Sequence, residues 1–95
     1  MKLPGWIGDL LQQLALEAPT DRPVRVRLGS LRGMFGECSQ GRGCYVIRLH
    51  STLPRSIMRE TLLHEWAHAM TWHEERHHGA AWGVNYARLL TLVFD

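Results

Sequence analysis

His64, Glu65 and His68 stand in the order His-Glu-x-x-His within LLHEWAHAM, residues 62–70. On a helix the two histidines fall one turn apart on one face, about 6 Å along the axis, so both imidazoles can reach one ion. Glu65 is placed to approach a water beside the metal rather than the metal itself, the division of labour of HExxH zinc peptidases. Three protein ligands leave one corner of a tetrahedral Zn2+ open, and zinc lowers the pKa of water at that corner to about 7. The pattern points to a zinc site with Glu65 as general base. The competing reading is a polar stripe on an ordinary surface helix.

The third ligand decides between subclasses. A metzincin-type site needs glycine and then histidine at the places held here by Thr71 and Glu74. A glutamate from a following helix is excluded, because the only acid after Glu75 is Asp95. His73, His77 and His78 remain. If the helix runs through Trp72, His73 sits about 140° round the axis from His68 and faces another way. His77 and His78 both precede the last helical stretch, where a chain folding back would present either one. No glycine or proline lies between Ala69 and His78 to force that turn.

The elements that must position these residues are legible from periodicity. In LPGWIGDLLQQLALEAP, Trp6, Ile7, Leu10, Leu11 and Leu14 follow helical spacing, with Pro4 in the first turn and Pro19 as the stop. PVRVRLG alternates Val24, Val26 and Leu28 with Arg25 and Arg27, a strand with one buried and one wet, positively charged face. MFGECS and CYVIRLH flank QGRG, whose glycines permit a tight reversal. Tyr45, Ile47 and Leu49 share one face of the second of these strands. From Pro54 a helix carries Leu63, Trp66, Ala67 and Met70 as its buried stripe, and Trp82, Tyr86, Leu89, Leu90 and Val93 mark a final helix. The expected fold is α+β: N-terminal helix, small, mainly antiparallel three-stranded sheet, HExxH helix and C-terminal helix.

Ninety-five residues, 45% of them apolar, suit one domain over residues 1–95. A chain of this size buries only roughly 60–65% of its unfolded surface, so a metal would be a useful staple. Residues 22–59 hold Arg22, Arg25, Arg27, Arg32, Arg42, Arg48, Arg55 and Arg59 against Glu37 alone. Such an arginine-rich sheet face suits DNA or an acidic partner, or is simply a solvated face. Cys38 and Cys44 lack zinc-ribbon spacing and read as two reduced thiols, although a hairpin would bring them near enough for a disulfide. No signal peptide and no apolar run of membrane-spanning length is seen, which gives a cytoplasmic reading with no membrane partner.

LLHEWAHAM followed by HHGAAW resembles the SprT-like zinc metallopeptidases, the Spartan-related family, in which HExxH is followed by a histidine-glycine pair and an aromatic residue three beyond that histidine. His78, Gly79 and Trp82 match. The resemblance implies His64, His68 and His78 as zinc ligands and Glu65 as general base, in a minimal catalytic domain without the cysteine-rich ribbon that many members carry. It implies a zinc endopeptidase acting on protein substrates, with DNA-associated proteins among the candidates. Tyr86, Tyr45 and Arg48 are candidates for a second oxyanion donor. The rival function is a non-catalytic, zinc-stabilised module binding nucleic acid or a protein partner. Glu65 speaks against it, since a purely structural site has no use for that carboxylate.

Overall fold

The computed structural model describes residues 3–74 and 77–94. Its elements run α1 (Gly5–Glu17), β1 (Val24–Gly29), β2 (Gly36–Gln40), β3 (Tyr45–His50), α2 (Arg55–Met70) and α3 (Ala80–Phe94). The α+β class and the order of elements follow the expectation from the sequence.

In α1, Ile7, Leu10 and Leu14 form the buried face. The helix stops where the Ala18 amide donates to the Leu14 carbonyl at 2.8 Å and Pro19 brings no further N–H. The Ala18 carbonyl then accepts the indole N–H of Trp66 at 2.8 Å, which ties the end of α1 to the middle of α2. That bond satisfies two buried polar groups and fixes where α2 lies over the core.

β3 is the central strand of the sheet, with order β1-β3-β2. Its alternation is clean: Tyr45, Ile47 and Leu49 are fully buried and Arg48 is exposed. Each of these three buried side chains contributes about 1.5–3 kcal/mol relative to exposure. β2 and β3 form the antiparallel hairpin expected around QGRG, with Gly43 at φ +70° and the Gly41 amide bonded to the Cys44 carbonyl at 2.8 Å. β1 joins the other side of β3 in parallel, from Val24 opposite Tyr45 to Gly29 opposite His50. The chain reverses direction twice, so β1 and β3 run the same way. The segment between β1 and β2 carries β2 to the far edge and leaves the middle place for β3.

α2 lies across the inner face of the sheet and buries Met58, Leu62, Leu63, Trp66 and Ala67, joined from α1 by Ile7, Leu10 and Leu14 and from α3 by Leu89. The outer face is wet and carries Arg25 and Arg27, exposed as expected, and Arg48, which pairs with Glu37 at 3.0 Å. Cys38 and Cys44 are free thiols. Cys38 packs against the core, while the Cys44 sulfur sits beside Gly41 and the Val46 side chain, on the other face of the sheet. Among the described residues no helix is long and apolar enough to cross a membrane.

Candidate metal centre

α2 ends at Met70 without a glycine or proline. Thr71 ends it: its amide is shared between the Ala67 and His68 carbonyls, both at 3.2 Å, and its hydroxyl donates back to Ala67 at 2.8 Å. A turn follows, closed by the Glu74 amide on the Thr71 carbonyl at 3.0 Å. At the start of α3 His78 adopts φ +61°, a left-handed conformation that histidine enters more readily than most residues but still at a cost. Gly79 follows, and its carbonyl accepts the Gly83 amide at 3.0 Å in the first turn of α3. The backbone strain at His78 turns its ring back toward α2.

The result is a convergence of three imidazoles. Nε2 of His78 lies 3.0 Å from Nε2 of His68 and 3.2 Å from Nε2 of His64. Two nitrogens bound to one tetrahedral ion at about 2.05 Å stand about 3.3 Å apart, so the spacing observed is that of ligands aimed at one centre. The chemistry of the set agrees. His68 is pushed down to about 4, first by burial and then by His64, His78 and His77, and His64 is lowered by burial and by His78. Both therefore stay neutral near pH 7, the form that binds a metal. The three residues fit a metal ion.

Trp82 forms the floor beneath the cluster. Its ring centroid lies 4.8, 5.5 and 4.6 Å from those of His64, His68 and His78, and its indole N–H donates to the His64 carbonyl at 3.2 Å. Tyr86 stacks on Trp82 at 5.0 Å and touches the His64 ring edge at 5.6 Å. Trp82 of α3 thus packs against all three rings, and Tyr86 against that of His64.

Glu65 is the one buried charged residue among those described, at 7% exposure. Its Oε2 stands 4.0 Å from Nε2 of His64. Burial, with Glu37 adding to it, pushes its carboxyl up to about 7. It lines, with His64, a pocket of about 440 Å³ bordered also by Phe35, Gly36, Ile57, Glu60, Thr61 and Tyr86.

The two other candidate ligands, His73 and His77, are placed elsewhere. His73 lies beyond the end of α2, its Nε2 3.3 Å from Asp21. His77 brings its ring to 6.0 Å from that of His68 but is not one of the three convergent side chains. Of the three candidate oxyanion donors, Tyr45 is fully buried and donates its hydroxyl to Asp21 at 2.6 Å, and Arg48 is on the outer sheet face with Glu37. Tyr86 alone borders the pocket. The pocket walls on β2 and α2 were not foreseen; the one available signal was Gly36, a glycine inside a strand, which marks a close approach. A Cβ there would stand 2.7 Å from Cγ2 of Thr61 and 3.1 Å from the Arg48 carbonyl.

Comparison with individual curated proteins finds no match. The model of the SprT-like family, by contrast, matches residues 9–92. That span runs from α1 to the last turn of α3 and takes in every side chain of the histidine cluster, its tryptophan floor and Glu65. The chain belongs to the SprT-like family.

Proposed function

We propose that the protein is a zinc-dependent endopeptidase that cleaves protein substrates, with His64, His68 and His78 as the zinc ligands and Glu65 as general base. One observation carries this reading: a buried carboxylate stands beside three convergent imidazoles at the wall of an open pocket. Zinc, when bound, supplies a polarised carbonyl and a water acidic enough to be activated near pH 7.

The residues of the chain account for the rest. Glu65, beside His64 at the pocket wall, takes the proton from the attacking water and delivers it to the departing amine. Tyr86, at the pocket rim, donates its hydroxyl to Glu60 at 3.4 Å and would turn from that partner to serve as the side-chain donor for the oxygen that gains charge. The substrate backbone lies along β2, which has β3 on one side only. The His50 amide bonds to the Phe35 carbonyl and the Gly41 amide to the Cys44 carbonyl. By the antiparallel alternation, the backbone groups of Gly36 and Cys38 point to the open edge and are available to an extended peptide.

Arg25 and Arg27, exposed on the outer sheet face, favour substrates associated with DNA, and they are also what a rival reading as a non-catalytic, zinc-stabilised binding module would rest on. Two free thiols support a reducing, cytoplasmic setting. The test compares wild type with Glu65→Gln for zinc content and for cleavage of casein, with and without single-stranded DNA. One zinc in each protein with cleavage by wild type alone is the expected result. A zinc-loaded wild type that cuts nothing under either condition refutes the peptidase reading.

A further inference from the structure

Most large apolar side chains of the chain are covered, yet Phe35 is 60% and Ile57 37% exposed, and both line the pocket that ends on His64 and Glu65. Met34, beside Phe35, is 45% exposed. The pocket follows α2 from Ile57 past Glu60 and Thr61 to the metal ligands, with β2 opposite and Tyr86 of α3 closing the side. Thr61 turns its hydroxyl back onto the Ile57 carbonyl at 2.7 Å, and its methyl faces Gly36. The Tyr86 hydroxyl is directed at Glu60 at 3.4 Å. The walls are mixed: Phe35, Ile57, the Thr61 methyl and the Tyr86 ring give apolar surface at the outer part, and the carboxylates of Glu60 and Glu65 with the His64 ring give the polar part.

We propose that this pocket is the specificity site of the enzyme: it receives one substrate side chain next to the bond that is cut, and it selects a large apolar one. The proposal rests on the peptidase reading. A cavity of about 150 Å³ already takes a benzene ring. The roughly threefold larger space here, 440 Å³ and open on one side, takes a phenylalanine, leucine or methionine side chain with its backbone still outside on the edge of β2.

The rival occupant is lysine or arginine, its cationic head on Glu60. Glu60 is exposed, and an exposed ion pair changes binding by about fivefold at most. Complete burial of a leucine or phenylalanine side chain changes it by roughly ten- to a hundredfold, and a pocket open on one side gives the lower part of that range. The apolar occupant is therefore favoured, and the exposed Glu60 carboxylate repels aspartate and glutamate.

The test uses zinc-loaded wild type and five unstructured fluorogenic peptides that differ at one position, which holds Leu, Phe, Ser, Glu or Lys, with cut sites mapped by mass spectrometry. Binding of the same peptides to zinc-loaded Glu65→Gln is followed by fluorescence polarisation. Cuts adjacent to Leu and Phe, with kcat/KM at least about tenfold above the Ser and Glu peptides and the same order in binding, are expected. Phe35→Ser with Ile57→Ser should shrink that ratio several-fold; both side chains are partly at the surface, and an unchanged circular dichroism spectrum checks the fold. Equal rates on all five peptides overturn the pocket proposal alone, as does a Lys preference that Glu60→Gln abolishes. Binding preference without any cleavage overturns the peptidase reading and leaves the pocket standing. Neither cleavage nor preference overturns both.

Discussion

Replacing Glu65 with glutamine in the metal-free protein removes one ionisation and keeps the shape of the side chain. In the wild type, burial holds this carboxyl up at about 7 against an ordinary value of 4.5. Below pH 4.5 the group is protonated whether the chain is folded or not, and its contribution to stability is fully present. Between pH 4.5 and 7 the folded chain binds the proton more tightly than the unfolded one, so stability falls as pH rises and reaches its floor above 7. At about 1.36 kcal/mol per pH unit the shift sets a ceiling of about 3 kcal/mol. Water in the open pocket screens the carboxylate and brings the expected loss to about 1–2 kcal/mol. His68, held down at about 4, works in the opposite sense: its contribution is present above pH 6.5 and is lost as pH falls through 4. Both proteins share that term, so their difference isolates Glu65. Urea unfolding in the presence of a chelator should give equal stabilities at pH 4.5 and a Gln variant more stable by about 1–2 kcal/mol at pH 8. A difference that is flat across this range, or that favours wild type at pH 8, refutes the claim that the carboxylate is held in a desolvated place.

His78→Gly removes the third imidazole and relieves the left-handed backbone at φ +61°. The metal-free fold should stay as stable or gain up to about 1 kcal/mol, while zinc affinity, read by competition with a chelating dye, falls at least about a hundredfold. Trp66→Phe leaves the buried Ala18 carbonyl without its donor and should cost about 1–3 kcal/mol in chemical denaturation. Gly36→Ala sets a methyl against Thr61 and the Arg48 carbonyl and should cost about 1–3 kcal/mol, with cleavage reduced because β2 is pushed from α2; an unchanged midpoint would show that the close approach is not real.

What the sequence made legible was local. The four-residue spacing of His64 and His68, the alternation of Tyr45, Ile47 and Leu49 and the glycines of QGRG each fix a conformation within one or two turns of chain, and all are seen as read. The stop of α2 was not legible, because Thr71 ends it through a hydroxyl bond to its own helix rather than through a helix-breaking residue. The parallel place of β1 depends on which strand takes the centre of the sheet, a matter of long-range packing. The bonds of Asp21 to Tyr45 and His73 join residues 24 and 52 positions apart, and nothing in their local pattern announces them. The pocket walls escaped for the same reason: Phe35 lies just before β2, Ile57 on α2 and Tyr86 on α3, and each alone reads as an ordinary apolar position.

The proposed zinc site requires three histidine nitrogens on one metal, with the remaining coordination place open to solvent. X-ray absorption at the zinc edge of the loaded protein measures this directly. Three imidazole nitrogens at about 2.0–2.1 Å and one exchangeable oxygen are predicted, with one imidazole lost in His78→Gly. Four imidazoles, or a wild-type spectrum that His78→Gly leaves unaltered, would contradict it.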